Sequence, residues 1–168
     1  MKTTAIFYGS TTGSTEDVAA RIAARLGIAP ADVRNVSDLS PELVAGYDAL
    51  LLGSSTWGAG DLQDDWYDAL DRLRALDLTG KTVALFGCGD AASYPDTFCG
   101  ALGQIYDALV PTGCTFAGSV PTDGYDFSDS EAVRDGCFVG LALDEMNEPE
   151  KTDDRVAAWC EGLKEALA

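Results

Sequence analysis

Two rhythms alternate along this chain: unbroken apolar runs, and apolar residues spaced about one helical turn apart. Thr3–Tyr8 is a continuous apolar run and predicts a strand, after which Val18, Ile22 and Leu26 recur at helical spacing among alanines that favour helix. Past Gly27 and Pro30, Asp32–Val36 reads as a short second strand near a sheet edge. Ala49–Ser54 is apolar without alternation, as expected of a central parallel strand covered on both faces. Leu62, Trp66, Leu70 and Leu73 form a helical stripe, and Gly80-Lys81 turns the chain into a further apolar strand, Thr82–Cys88. Leu102, Ile105 and Leu109 make the next helical face until Pro111 and Gly113 stop it. The last strand opens at Thr115-Phe116-Ala117, yields to the Asp-, Ser- and Gly-rich residues Val120–Gly136, and resumes over Cys137–Leu143. An excursion of about twenty residues with a small hairpin or bulge is therefore expected there. Thr152 or Asp153 caps a closing helix that turns Val156, Trp159, Leu163 and Leu167 to the sheet. Five strands alternating with helices predict an α/β fold, a three-layer α/β/α sandwich around a five-stranded parallel sheet.

Length and composition narrow the function. With 168 residues and 46% hydrophobic content, the chain is the size of one compact domain, 1–168. No apolar stretch approaches the roughly 18 residues that span a bilayer, so a cytoplasmic location is expected. Five scattered cysteines, Cys88, Cys99, Cys114, Cys137 and Cys160, form no Cys-x-x-Cys pair and read as reduced thiols. The absence of histidine removes Ser-His-Asp and Cys-His catalysis and His-ligated metals. A formal charge of −17 disfavours nucleic acids and acidic membranes, favours basic partners and argues for a monomer.

The candidate chemistry lies just after the first strand. Gly9 is followed by Ser10, Thr11, Thr12, Gly13, Ser14 and Thr15, so hydroxyl donors and the positive end of a helix converge on one loop. No Lys or Arg occurs between Lys2 and Arg21, so a phosphate there is gripped by neutral donors rather than transferred. In a parallel sheet, ligands bind beyond the carboxyl ends of the strands. That rule joins the first loop to Ser54–Leu62, with Ser55, Thr56, Trp57, Gly58, Ala59 and Gly60, and to Gly87–Phe98, with Cys88, Gly89, Asp90 and Tyr94. Trp57 and Tyr94 are placed to sandwich a flat conjugated ring beside the anion cradle, a site suited to flavin mononucleotide (FMN).

These segments resemble the flavodoxins, specifically their long-chain branch. The family's phosphate loop falls on Ser10–Thr15, its covering aromatics on Trp57 and Tyr94, and its Gly-x-Gly-Asp segment on Gly87–Asp90. Thr122–Phe127 and Phe138–Glu145 are similar to the long-chain loop and its return strand. Met146 stands where some members carry a carboxylate near the flavin, and Cys99 where a longer polar side chain reaches the ring edge. The resemblance implies strand order 2-1-3-4-5 and flavin contacts that extend to Phe98 and Cys99. It also implies a low-potential one-electron carrier, not an enzyme, whose FMN is non-covalent and cycles between semiquinone and hydroquinone. Its partners would be basic-surfaced redox proteins, a reductase as donor and a metalloenzyme such as a nitrogenase component as acceptor. The alternative is a flavodoxin-like NAD(P)H-dependent quinone or azo reductase, which needs a pocket over the ring and a basic group for the nicotinamide's phosphates.

Overall fold

The computed structural model describes residues 1–58 and 60–168; Ala59, an expected cofactor contact, lies outside the described residues. In chain order the elements are β1 (Thr4–Gly9), α1 (Ser14–Leu26), β2 (Val33–Asn35), α2 (Pro41–Ala45), β3 (Ala49–Ser54), β4 (Thr56–Trp57) and β5 (Asp61–Leu62). There follow α3 (Trp66–Arg74), β6 (Thr82–Cys88), α4 (Gly100–Leu109), β7 (Thr115–Ala117), β8 (Val120–Pro121), β9 (Val133–Arg134), β10 (Cys137–Phe138), β11 (Leu141–Leu143) and α5 (Thr152–Leu163). The main sheet is parallel, in the order β2-β1-β3-β6-β11, which is the expected 2-1-3-4-5 arrangement.

Its central strands carry no polar face because both faces are covered. Ala5 and Phe7 of β1, Leu50 and Leu52 of β3, and Val83 and Leu85 of β6 pack with Trp66 and Leu73 of α3 and Leu102 and Ile105 of α4. The intervening Ile6, Leu51, Ala84 and Phe86 pack on the other side with Val18 and Ile22 of α1 and Val156 and Leu163 of α5. Successive strand residues point to opposite faces, so two helical layers require a continuous apolar run.

Several details differ from the expectations: Leu62 belongs to β5 and not to the helical stripe, and α5 has Lys151 at its N-cap, with no side-chain cap from Thr152 or Asp153. The second strand is only Val33–Asn35, trimmed by 3-10 turns at Pro30–Asp32 and Val36–Asp38; Asn35 Oδ1 accepts the Ser37 N–H at 2.9 Å and turns the chain away. The one-turn helix α2, opened by Ser40 Oγ accepting the Leu43 N–H at 3.2 Å, buries Val44 alone and so leaves no periodic stripe. The strand expected over Cys137–Leu143 is divided. Cys137-Phe138 belongs to a separate antiparallel sheet, β8-β10-β9, and only Leu141–Leu143 returns to the main sheet. Phe138 turns away because it is fully buried against Phe98, Tyr125 and Phe127. The fifth strand is thus built in two pieces, β7 beside Thr82–Ala84 and β11 beside Phe86–Cys88, on the same flank of β6.

Candidate functional site

The loop between β1 and α1 is shaped to present donors. Gly13 is the helix N-cap, held at φ +94°, and no side chain caps the helix, so its opening amides remain open to a ligand. Ser10 Oγ accepts the Gly13 N–H at 3.1 Å and closes the loop, while Thr11 Oγ1 accepts from Gln63 Nε2 at 3.1 Å. The Thr15 side chain is buried next to the Cys88 thiol, and its hydroxyl has no hydrogen-bond partner. Arg21, the first cation after the loop, is engaged by Asp17 at 2.8 Å and Asp153 at 2.9 Å.

A second loop is fastened to the first. Gly9 has no room for a side chain, since a Cβ would fall 2.3 Å from Gln63 Oε1 and 2.6 Å from Trp66 Cδ1. Strands β4 and β5 pair antiparallel, Thr56 opposite Leu62 and Trp57 opposite Asp61, with Gly58 at φ +49° and Gly60 at φ +95° in the turn. The base of this hairpin is braced: Ser54 Oγ accepts the Gln63 N–H at 3.2 Å, Thr56 Oγ1 accepts the Ala101 N–H at 3.1 Å, and Gln104 Nε2 donates to the Gly60 carbonyl. Trp57 donates its indole N–H to Ser55 Oγ at 2.9 Å and stays 41% exposed.

The third loop carries Tyr94, 46% exposed. Tyr94 N–H donates to the Asp90 carbonyl at 2.9 Å, and Ser93 N–H to Asp90 Oδ1 at 3.0 Å. Burial alone would raise the Asp90 carboxyl, but hydrogen bonds from Asn147 and Ser93 outweigh it and hold it below the ordinary carboxylate value. Burial pushes the Cys88 thiol up to about 12, so it is a neutral wall rather than a nucleophile.

One groove of about 300 Å³ joins the loops. Thr12 and Ser14 line it from the first loop, Ser55, Thr56, Trp57 and Gly58 from the second, and Cys88, Gly89, Asp90 and Tyr94 from the third. The chain also adds Glu145 and Met146 after β11, which places the groove at the carboxyl ends of the strands. A larger hollow of about 630 Å³ lies between α5 and the excursion, and its arginine, tryptophan and tyrosine are engaged with the protein itself. There Arg155 donates to Glu148 and to the Gly124 carbonyl, Trp159 to the Gly118 carbonyl, and Tyr125 to the Ala142 carbonyl.

Not every expected contact reaches the groove wall. Ser10, Thr11, Gly13, Thr15 and Gly60 belong to the same loops without lining the groove. Phe98 and Cys99, the other expected contacts, do not line the groove either. Phe98 is 2% exposed and stacks at 5.7 Å on Phe127, within the aromatic cluster under the excursion. Cys99, at φ +52° before α4, turns its thiol inward to the carbonyls of Leu143 at 3.7 Å and Gly87 at 3.9 Å. Conversely, Glu145 and the braces Gln63, Asp144 and Asn147 escaped the sequence reading. The rule about strand ends, applied to the fifth strand, would have reached Glu145; nothing in the sequence marks Gln63 as the tie between two loops.

The arrangement can hold a molecule with an anionic tail at the uncapped helix start and a flat ring between Trp57 and Tyr94. Comparison with known proteins points the same way. A family model described as Flavodoxin matches residues 6–159. Flavodoxin 1 of Escherichia coli is 46% identical over 168 residues, covering 99% of this chain and 96% of that protein. The flavodoxin of Haemophilus influenzae is 42% identical over 163 residues, covering 96% and 94%. The crystal structure of a Fusobacterium nucleatum flavodoxin bound to flavin mononucleotide superposes with a TM-score of 0.90 at 32% identity, covering 100% of both chains.

Proposed function

We propose that this chain, which belongs to the flavodoxin family, works as a carrier of single electrons on non-covalently bound FMN. The observation that carries the reading is the groove itself, where an uncapped helix start and two exposed aromatic residues meet. The residues fit the cofactor: the buried Thr15 hydroxyl lacks a partner, and the donor set around it is neutral, as gripping without phosphoryl transfer requires. Ser10–Thr15 would hold the phosphate, and Ser55, Thr56, Trp57, Gly58, Ala59, Gly60, Cys88, Gly89, Asp90 and Tyr94 the remainder. FMN supplies a ring that accepts electrons one at a time. Asp90 and Glu145 line the groove, and Asp61, Asp64 and Asp65 follow on the segment leaving Trp57, so the chain disfavours added negative charge there. That environment makes for a strong reductant.

A carrier reading is favoured over a nicotinamide-dependent reductase because both aromatic residues line the groove, and no Lys or Arg among the described residues does. With a net charge of −17, the partners are basic-surfaced redox proteins, a reductase as donor and a metalloenzyme as acceptor. No helix among the described residues is long and apolar enough to cross a membrane, and all five cysteines are free, which fits a monomeric single domain in a reducing cytoplasm. The visible spectrum of the purified protein is the test, with two bands of oxidised flavin expected. A preparation that stays colourless after incubation with FMN would overturn the cofactor. Rapid bleaching by reduced nicotinamide alone would favour the reductase.

A further inference from the structure

The turn after β11 reaches across to the loop that carries Tyr94, and one side chain makes the link. Asn147 Nδ2 donates to Asp90 Oδ1 at 2.8 Å and lies 3.1 and 3.0 Å from the two carboxylate oxygens of Asp144. Only the amino end of an amide can face two carboxylates, so the orientation of Asn147 is fixed by chemistry. Asp144 is 1% exposed, and no cation is paired with it among the described residues. Besides Asn147 Nδ2 it accepts the main-chain N–H of Asn147 at 3.0 Å and that of Ala91 at 3.2 Å. A buried carboxylate is thereby spent on fixing two loops, the Tyr94 loop through Ala91 and the Met146 turn through Asn147.

Without the amide, Asp90 and Asp144 would approach each other as like charges with no donor between them. We infer that Asn147 is a positioning residue for the flavin site: by bridging Asp90 and Asp144 it holds the Tyr94 loop in its closed place over the groove. The inference rests on the FMN reading above. Asn147 is itself exposed and outside the groove wall, so it acts through Asp90 and Tyr94, both of which line it. On the far side of Tyr94 the Ser128 and Asp129 N–H groups donate to the Pro95 carbonyl at 2.8 and 3.0 Å; on the near side the main chain is tied by the Gly89 and Ala91 N–H groups, and Asn147 is the side chain that holds the Asp90 carboxylate itself.

The test compares wild type, Asn147→Ala and Asn147→Asp, each with and without Tyr94→Ala. FMN dissociation constants are read by flavin fluorescence, both one-electron midpoint potentials by redox titration, and apoprotein unfolding by circular dichroism. Loss of charge-assisted bonds to the loop predicts an FMN dissociation constant raised about tenfold in Asn147→Ala, and further in the isosteric Asn147→Asp, which adds a third carboxylate. The second potential should move positive in Asn147→Ala as water reaches the loosened site. In the Tyr94→Ala background the effect of Asn147→Ala should shrink to about twofold or less. Unchanged affinity and potentials would overturn the inference. So would an affinity loss that persists undiminished without Tyr94, since Asn147 would then serve the fold and not the loop. Failure of the wild type to bind FMN would defeat the cofactor reading instead, and this inference with it.

Discussion

Replacing Thr15 with Val separates the demands of the empty loop from those of a loaded one. The side chain is fully buried and its hydroxyl has no partner, so the protein alone bears the cost of an unsatisfied polar group, typically about 1–3 kcal/mol. Val has nearly the same shape and helix propensity as Thr, so the substitution removes the orphan without opening a cavity. The apoprotein should gain about 1 kcal/mol, raising its Tm by roughly 2–4 °C for a chain of this size. FMN binding should weaken by more than that. A hydroxyl donating to a phosphate is worth about 1.5–3 kcal/mol, which weakens FMN binding by a factor of roughly 10 to 150. Riboflavin, which lacks the phosphate, should bind Thr15→Val as it binds wild type. Chemical and thermal unfolding of the apoprotein, with fluorescence titrations of both flavins, measure all three quantities. An apoprotein destabilised by Thr15→Val, with riboflavin weakened as much as FMN, would refute the reasoning, because the hydroxyl would then be supporting the loop.

Further outcomes follow from the same geometry. Gly58 sits at φ +49°, which a β-branched residue adopts only with strain, so Gly58→Val should stiffen the hairpin turn and shift the first midpoint potential; identical titrations for variant and wild type would count against a role for that peptide. Because the Asp90 carboxyl lies below its ordinary value of 3.8 in the folded chain, its contribution to stability is complete above that value and is lost as pH falls through the lowered one. Urea unfolding should therefore be less acid-sensitive in Asp90→Asn than in wild type, and equal sensitivity in the two proteins would show that the carboxylate contributes nothing. With a charge of −17, reduction of a basic haem protein should slow as the screening length falls from about 30 Å to about 8 Å between low and physiological salt. A stopped-flow rate independent of salt would exclude electrostatic steering.

The parts of the molecule legible in the sequence are those whose burial is two-sided or periodic. Leu50–Leu52 could hardly be anything but a covered central strand, and Trp66, Leu70 and Leu73 lie on the buried face of α3, although Leu62, read into the same stripe, belongs to β5. The Ser10–Thr15 loop was legible because its chemistry is local: the donors and the helix start are neighbours in the chain. What escaped depends on contacts between distant segments. Phe98 looks like the end of an exposed loop, yet residues near 125 and 138 draw it into the core. Asp144 reads as one acid among many in an acidic chain, and its burial follows only from donors at Ala91 and Asn147. Helix α2 and the β4-β5 hairpin are too short for any period to register.

The main sheet has two borders, and a border strand with unpaired amides invites foreign chains to add to it. On one side stands β2, three residues long; on the other, β7 and β11 offer three residues each, with the excursion between them. Three residues are a poor template for a second molecule's backbone, so association through strand addition is disfavoured at both ends. A protein that must meet, serve and leave one partner after another gains from this: what remains available for contact is side chains and charge, which release as readily as they engage.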